Sequence, residues 1–451
     1  MYLAPVQKPH PFHILLRVSF HFIMTASVDD HLAALYRLRR FGIKFGLSTI
    51  TRLLRGLGNP HEQFSSIHVA GTNGKGSIAA FLSSVLTSAG YKVGLYTSPH
   101  LVRFNERIQI NGQAISDEDV ARVLEAVRLV YTQGDPPTFF ECATAMALHH
   151  FALTGVDWAV LETGMGGRYD ATNIAQPEAC VISNIGLEHQ EYLGNTLAAI
   201  AREKAGIIKQ GVGVVTGTRQ RNALTVIENV AKEKEAALYR LGKEIRLRKD
   251  KERGFTYSSV HRRLPGVKVG MPGEHQITNA ALALGVVDLL LQEGVNISDQ
   301  AIYSGIAATR WPGRLEIVSK KPFVLLDGAH NPAATRILRR FLEDAIHVER
   351  LIMIVGILAD KAWKPMLQEL ARVADAVILT RPKYERAADP YELAAFMRTL
   401  CQDVVVKPYL PDAVSLGFDK VGEDDAVCIT GSLYTVGDAK AYLASRGIRS
   451  A

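Results

Sequence analysis

The sequence predicts an α/β protein with two successive parallel-sheet domains, the second smaller than the first. At 451 residues the chain is too long for one ordinary hydrophobic core. Short apolar runs alternate with helical patterns in two separate series, which is typical of βαβ units covered on both faces. Early in the first series, a glycine-rich segment joins an apolar run to a helical run.

The first domain is predicted to contain five strands in its alternating series. Helical spacing precedes them at residues 30–40 and 48–57 and resumes at 276–292. The more polar stretch 243–268 predicts short strands or hairpins. The five strands are predicted at residues 66–71, 92–97, 157–162, 179–184 and 213–217.

The second domain has a series of its own, about 140 residues long, which is a common domain size. We place the boundary near residues 307–311, so that the domains span 24–308 and 309–451. The strands of the second domain are predicted at residues 323–327, 350–355, 376–380, 404–408 and 426–431.

Residues 1–23 are expected to be a disordered or mis-annotated extension, with Met24 as the true start. The alternative is a weak signal sequence at residues 12–23. His13, Arg17 and His21 interrupt that apolar stretch, so we favour the extension.

The composition is that of a soluble globular protein, with 47% hydrophobic and 22% charged residues. The net charge of +7 suits small polyanionic substrates, and without a lysine- or arginine-rich block we expect no nucleic-acid partner. No uncharged apolar run reaches about 18 residues, so we expect no membrane span. The four cysteines lie far apart and predict free thiols in a reducing compartment, which favours the cytoplasm.

The glycine-rich segment at residues 68–77 reads HVAGTNGKGS and is the strongest functional signal. A strand-to-helix turn of this kind presents backbone N–H groups and a helix N-terminus to an anion. Lys75 adds a positive charge, and the Ser77 hydroxyl can ligate Mg²⁺. Val69 replaces the first glycine of the strict motif, and Gly76 separates the lysine from the serine. The segment predicts a triphosphate cradle formed by Asn73, Gly74, Lys75, Gly76 and Ser77.

A second glycine-rich run, residues 160–173, follows another predicted strand. Glu162 lies at the carboxyl end of that strand, where ligands bind in open α/β sheets and a carboxylate can hold Mg²⁺. His189 follows the next strand end, so both side chains could face one cleft. The alternative for Glu162 is a surface glutamate in a glycine loop. The alternative for His189 is a structural histidine that binds no ligand.

The second domain carries two polar motifs of its own. Arg314 lies just after the boundary, and its guanidinium can neutralise phosphate charge. Asp327 and His330 follow a predicted strand and are suited to hold ribose and phosphate oxygens. For the motif of Asp327 and His330, taken alone, the alternative is a polar turn without function.

The segment Gly-Thr-Asn-Gly-Lys-Gly-Ser resembles the nucleotide loop of the Mur ligase superfamily, most closely its folate branch, the folylpolyglutamate and dihydrofolate synthases. The resemblance covers about residues 32–443, with several motifs in the same order. It implies the Mur ligase architecture, in which a parallel-sheet ATPase domain with a phosphate loop precedes a smaller Rossmann-like domain.

Several roles follow from this resemblance at matching positions. It implies that Ser98, Glu162 and His189 bind Mg²⁺ and that Lys204 is carbamylated, because a free ammonium would repel the metal. It also implies that Asn279 contacts adenine. Glu188 stands where the family often has aspartate, a change that we expect to matter little. The implied pocket for the pterin or folate comprises Gly46, Leu47, Thr138, Phe139, Phe140, Glu141, Arg168, Asp170 and Ala171.

The activity that the resemblance implies is an ATP-dependent amide ligase with Mg²⁺ as its cofactor. It would add L-glutamate to dihydropteroate, giving dihydrofolate, and to tetrahydrofolate, giving polyglutamates, through an acyl phosphate. Lys75, His189 and carbamylated Lys204 are the catalytic candidates, and a monomer is expected.

Two alternatives stay open. One is another Mur-type ligase that acts on a cell-wall precursor, and the other is a non-catalytic nucleotide-binding module. The segments 138–141 and 41–47 argue against the first, because they match the family's pteroate-binding segments. An Asn-Lys-x-Asp motif is missing from the sequence, which argues against a guanine-nucleotide switch.

Overall fold

The computed structural model describes residues 28–42, 44, 46–131, 135–250 and 254–448. The expected extension at residues 1–23 lies outside this part of the chain. The described residues form three β-sheets, two of them large and mainly parallel. This is the α/β architecture that the two alternating series predicted.

The first sheet has eight strands and contains all five strands predicted for the first series. Its strands are β1 (Ser65–Ala70), β2 (Val93–Tyr96), β3 (Ile108–Ile110), β4 (Gln113–Ala114), β5 (Trp158–Glu162), β6 (Ala179–Ile182), β7 (Gly213–Thr216) and β8 (Leu238–Arg240). Their order is β4-β3-β2-β5-β1-β6-β7-β8. All pairs are parallel except β2 with β3 and β3 with β4, which form an antiparallel edge.

Helices and short 3₁₀ turns surround this sheet. The helices are α1 (Val28–Arg37), α2 (Ser48–Gly56), α3 (Lys75–Ser88), α4 (Asp117–Val130), α5 (Phe139–Thr154), α6 (Gln190–Leu193), α7 (Leu197–Ala205), α8 (Arg221–Glu233), α9 (Glu274–Gln292) and α10 (Asp299–Ala308). The 3₁₀ turns are Leu38–Phe41, Pro60–Glu62, Phe104–Arg107 and Ala171–Ile174. Each face of the sheet buries its own hydrophobic cluster, one against α3 and α9 and the other against α5.

The polar stretch that predicted hairpins forms a small antiparallel sheet. Its strands are β9 (Ile245–Lys249), β10 (Gly254–Ser259) and β11 (Arg263–Lys268), in the order β11-β10-β9. Buried Tyr257 donates a 2.6 Å hydrogen bond from its hydroxyl to the Asp288 carboxylate on α9. This contact fixes the small sheet against the helix that covers the first sheet.

The second large sheet has six strands. They are β12 (Glu316–Lys320), β13 (Phe323–Asp327), β14 (Leu351–Val355), β15 (Ala376–Arg381), β16 (Asp403–Tyr409) and β17 (Ala426–Thr430). Their order is β12-β13-β17-β14-β15-β16, and only β12 pairs in the antiparallel sense. The helices on this sheet are α11 (Pro332–Ala345), α12 (Trp363–Leu370), α13 (Pro390–Met397), α14 (Leu410–Asp419) and α15 (Leu433–Ser445).

Four strands were not predicted: β3, β4, β8 and β12. Each lies outside the central parallel strands of its sheet, and β3, β4 and β8 have three residues or fewer. Short, half-exposed strands lack the continuous apolar run that marks a buried parallel strand. The predicted domain boundary falls at the connection between α10 and β12 and stays a prediction.

Among the described residues, no helix is both long and apolar enough to cross a lipid bilayer.

Candidate active site

The glycine-rich turn between β1 and α3 forms one wall of a cleft. Gly74 has a φ of +87°, a conformation that favours glycine, and α3 begins at Lys75 with no cap from a described side chain. The first N–H groups of α3 can therefore bind an anion. Lys75 Nζ lies 3.0 Å from the Gly71 carbonyl oxygen and 3.3 Å from that of Thr72, so its charge is held at the same turn.

The cleft brings together residues from both large sheets. β5 ends at Glu162 and β13 ends at Asp327, and both side chains line it. The carboxyl ends of these parallel strands therefore meet the phosphate loop at one place. Of the predicted site residues, the cleft contains Asn73, Gly74, Lys75, Gly76, Ser77, Ser98, Glu162, His189, Asn279, Arg314, Asp327 and His330.

Glu162 supplies a buried carboxylate to this cleft. It is 5% exposed, and the Ser98 backbone N–H donates a 3.1 Å hydrogen bond to its Oε2. Burial raises the pKa of Glu162, and the charge of Lys75 opposes that rise. The hydroxyl groups of Ser77 and Ser98 line the same cleft.

These oxygen donors are of the kind that a small divalent cation prefers. The described residues contain no cluster of three or more His, Cys, Asp or Glu side chains that could hold a metal. Mg²⁺, however, commonly binds through one or two carboxylates together with the phosphates of its nucleotide. Glu162 with Ser77 and Ser98 fits that pattern better than an all-protein metal site.

Lys204 forms a buried ion pair next to the phosphate loop. Its Nζ lies 2.7 Å from Glu188 Oε1 and donates a 2.8 Å hydrogen bond to the Gly71 carbonyl oxygen. Burial lowers the pKa of Lys204 to about 8, against the attraction of Glu188. Although burial alone would raise it, the charges of Lys204 and Lys75 lower the pKa of Glu188 to about 2. Glu188, to which we assigned little consequence, is thus the direct partner of Lys204.

The second sheet presents a pre-formed polar turn. Asp327 is 7% exposed and accepts hydrogen bonds from the backbone N–H groups of Leu315 and Ala329, at 2.9 and 3.0 Å. His330 is held by the Gly328 carbonyl oxygen at 2.9 Å, and burial lowers its pKa to about 4, so it is neutral near pH 7.

One hydrogen bond joins the polar turn to the phosphate loop. Asn331 Nδ2 donates to Asn73 Oδ1 at 2.9 Å, across the cleft between the two large sheets. On the first-sheet side, Asn279 Nδ2 donates to Gln276 Oε1 at 2.9 Å. Both contacts hold polar side chains in place at the mouth of the phosphate cradle.

The glycine loop after β5 is organised by Asp170. Its carboxylate accepts from the N–H groups of Gly164, Met165 and Thr172 at 2.9 to 3.0 Å, and from the Thr172 hydroxyl at 2.5 Å. These contacts occupy both carboxylate oxygens, so Asp170 shapes the loop from within. In the same loop Arg168 is exposed and Ala171 is buried.

The aromatic residues predicted for the pterin pocket lie at the start of α5. The Thr138 hydroxyl accepts from the Glu141 N–H, and the Glu141 carboxylate accepts from the Thr138 N–H, which together form a capping box. Phe139 stacks on Tyr36 at a centroid distance of 5.7 Å, and the ring of Phe140 packs against Gly164. Both phenylalanines are only partly buried, so their rings are not simple core residues.

The loop predicted to contact the dihydropterin includes Gly46 and Leu47, both half-buried. In the same loop Lys44 Nζ lies 2.6 Å from Asp135, whose other oxygen lies 2.5 Å from Arg52. This salt bridge joins the loop to the segment before α5. No local sequence pattern predicts this salt bridge, because its members are separated by 91 and 83 residues.

The fold and the cleft define a Mur ligase. The model of the Mur ligase middle domain matches residues 69–287, and that of the Mur ligase glutamate ligase domain matches residues 313–433. The chain is 35% identical to the dihydrofolate synthase/folylpolyglutamate synthase of Bacillus subtilis, over 93% of this chain and 100% of that relative. The chain belongs to the dihydrofolate synthase/folylpolyglutamate synthase family.

Solved structures agree with this assignment. The chain is similar to E. coli FolC in complex with DHPP and ADP, with a TM-score of 0.87, 31% identity and coverage of 94% of this chain and 99% of that chain. It is also similar to a bifunctional folylpolyglutamate synthase/dihydrofolate synthase with Mn, AMPPNP and L-glutamate bound, with a TM-score of 0.84 and 31% identity. That match covers 93% of this chain and 98% of the other.

Proposed function

We propose that this protein adds L-glutamate to dihydropteroate and to tetrahydrofolate, at the expense of ATP. The observation that carries the proposal is the cleft that Lys75 at the start of α3 and Glu162 at the end of β5 line together with Arg314 and Asp327 of the second domain. The relatives that carry both activities in their names support the choice of substrates.

The nucleotide is assigned to the phosphate loop and the polar turn. The α3 N-terminus, with Asn73, Gly74, Lys75, Gly76 and Ser77, would hold the phosphates. Arg314, Asp327 and His330 would bind phosphate and ribose from the second sheet, and Asn279 would contact adenine. Similar proteins solved with ADP or AMPPNP support this assignment.

A divalent metal would be held by Ser77, Ser98, Glu162 and His189, and we assign it as Mg²⁺. It would supply charge neutralisation at the terminal phosphates. A relative solved with Mn supports a divalent ion.

Lys204 is assigned as the carbamylated lysine. Carbamylation needs a neutral amine, and a pKa of about 8 makes that form accessible near neutral pH. The carbamate would bring a second anion next to Glu188, so it needs a cation nearby, which ties it to the metal. Partial recovery of a Lys204→Ala variant by added short-chain acids would support this role.

The acceptor would lie between the loop that contains Gly46 and Leu47 and the start of α5. The partly buried ring of Phe140 suits stacking against a flat heterocycle, and Phe139 would bound the pocket beside it. Thr138 and Glu141 fix the position of these rings through the capping box. Arg168, Asp170 and Ala171 would bound the pocket on the side of the glycine loop.

The chemistry requires that a carboxylate become a better electrophile. Transfer of the γ-phosphoryl group of ATP to the carboxylate forms an acyl phosphate and releases ADP. The glutamate amine then attacks the carbonyl carbon, and inorganic phosphate leaves as the amide forms. Lys75 and Arg314 would neutralise the charge on the transferred group, and His189 would lie beside it. Since these groups lie on both sides of the cleft, closure of the cleft is part of turnover.

The test is phosphate release with ATP, Mg²⁺ and L-glutamate on the purified protein. Dihydropteroate, tetrahydrofolate and a muramyl peptide are supplied in turn as the acceptor. Release with either pterin substrate supports the proposal, whereas release only with the muramyl peptide overturns it.

We further propose that the protein is a monomer located in the cytoplasm. Size-exclusion chromatography would check the oligomeric state, and cell fractionation would check the location.

A further inference from the structure

A buried arginine lies beside the candidate active site and has no anionic partner among the described residues. Arg107 ends the 3₁₀ turn Phe104–Arg107 and is 5% exposed. Its Nε donates a 2.8 Å hydrogen bond to His100 Nδ1. Burial lowers the pKa of His100 to about 3, so this histidine is neutral and brings no negative charge. In the described part of the chain, no carboxylate oxygen lies within 4.0 Å of the Arg107 guanidinium.

A buried guanidinium of this kind is expected to be paired. Taking a charge out of water is costly unless an opposite charge or several hydrogen bonds replace the water. Besides the neutral His100 ring, the Arg107 guanidinium contacts an aromatic ring, since its carbon lies 5.2 Å from the centroid of Phe139. A cation–π contact is weaker than an ion pair. The charge of the Arg107 guanidinium therefore favours the binding of an anion from outside the chain.

A second arginine faces the same ring. The Arg39 guanidinium carbon lies 5.1 Å from the Phe139 centroid and 4.4 Å from that of Tyr36. Arg39 also has no carboxylate partner among the described residues. Burial lowers the pKa of Arg107, and the like charge of Arg39 near the same ring adds a smaller lowering effect. An anionic ligand bound between the two guanidinium groups would reduce their mutual repulsion, so the arrangement favours the binding of a negatively charged ligand.

Arg39 and Arg107 lie near residues of both domains that form the cleft. Phe139 begins the helix assigned to the pterin pocket. On the side of the second sheet, Tyr434 of α15 and Tyr384, which follows β15, stack with centroids 4.0 Å apart. Burial raises the pKa of Tyr434, and the charges of Arg107 and Arg39 oppose that rise. Arg107 is also among the cations that oppose the effect of burial on Glu162. The two arginines thus lie between the acceptor pocket, the second sheet and the reacting end of the cleft.

We propose that Arg107 and Arg39 form a carboxylate subsite that binds a glutamyl group during the ligation. The proposal rests on the proposed function and deepens it. Guanidinium groups bind carboxylates through paired N–H donors, which gives both affinity and orientation. Glutamate carries two carboxylates, which matches two cations on one ring.

Two sources can supply that glutamyl group, and they are experimentally separable. One is the incoming L-glutamate, which is present with either acceptor. The other is the glutamyl tail of tetrahydrofolate, which dihydropteroate lacks. The same substitutions therefore report on different Michaelis constants in the two cases.

The experiment compares Arg107→Gln and Arg39→Gln with wild type in both reactions. A lost charge-assisted contact is expected to raise the relevant KM by roughly ten- to a hundred-fold, with a smaller effect on kcat. A raised KM for L-glutamate with dihydropteroate as acceptor assigns the subsite to the incoming amino acid. A raised KM for tetrahydrofolate alone assigns it to the tail, and either result supports the proposal. Arg107→Lys should recover part of the loss.

The control is Arg37→Gln, which removes an exposed arginine in the last turn of α1, two residues from Arg39, and should leave both constants unchanged. Unchanged KM values for folded Arg107→Gln and Arg39→Gln variants, with an active wild type, overturn the subsite. Should Arg107→Gln not fold, Arg39→Gln decides the question, because the Arg39 side chain is exposed. A wild type that is inactive with every acceptor overturns the proposed function instead.

Discussion

The ion pair between Lys204 and Glu188 allows a quantitative test of the electrostatics at the phosphate loop. Lys204 is 1% exposed, its Nζ lies 2.7 Å from Glu188 Oε1, and the Glu188 side chain is 14% exposed. Removing one member of a buried pair leaves the other charged and without its partner, which costs roughly 3–5 kcal/mol. Lys204→Met should therefore lose about that much unfolding free energy in metal-free buffer depleted of carbon dioxide.

The double variant Lys204→Met/Glu188→Gln should recover most of this loss. It removes both charges, and replacing a buried pair by neutral groups is often close to neutral for stability. The coupling energy between the two positions should then be about 3 kcal/mol or more. Urea denaturation of the four proteins in this cycle, followed by circular dichroism with linear extrapolation, measures each free energy.

Additive effects of the two substitutions would refute this reasoning. So would a Lys204→Met variant as stable as wild type under the same conditions. Either result would mean that the ammonium and the carboxylate are not paired in solution, and that the lowered pKa of Glu188 has another cause.

Three further predictions test other parts of the site. Lys75→Ala should lower kcat by at least about 100-fold for both glutamate additions while circular dichroism stays unchanged, and turnover near the wild-type level would contradict the phosphate cradle. Thr138→Ala removes the cap of α5 and should lower the unfolding free energy by about 1 kcal/mol and raise the KM for dihydropteroate; an unchanged melting curve would contradict it. The third prediction is a pH dependence of stability that comes from His68. Burial lowers the pKa of His68 to about 3, so below pH 6.5 this imidazole binds a proton in the unfolded chain but stays neutral in the folded chain. Stability is therefore complete above pH 6.5 and falls towards pH 3, and wild type should lose about 1 kcal/mol more than His68→Gln between pH 6 and 5; equal losses would contradict the buried neutral histidine.

The central strands were predictable because their burial is visible in the sequence. β5 and β6 lie inside a parallel sheet and read as continuous apolar runs, whereas β3 and β4 at the edge do not. The same logic placed Glu162 and His189 near each other, since the carboxyl ends of parallel strands share one edge of a sheet. The phosphate loop could be predicted from local sequence alone, because it is a single strand–turn–helix unit.

The partners of buried charges were not predictable in the same way. Glu188 meets Lys204, and Arg107 approaches Phe139, only because loops from different strands converge at the cleft. Periodicity shows which face of an element is buried, but it carries no information on which distant side chain lies opposite. Asp170 illustrates a further limit, since a carboxylate in a motif can serve the loop itself rather than a ligand.

The central claim is that the terminal phosphoryl group of ATP is transferred to the acceptor carboxylate before the amide forms. The most direct test uses dihydropteroate labelled with ¹⁸O in its carboxyl group, together with ATP and L-glutamate. An acyl phosphate predicts that each amide formed delivers one labelled oxygen to inorganic phosphate, as measured by mass spectrometry. Amide formation that leaves the phosphate unlabelled would contradict the account.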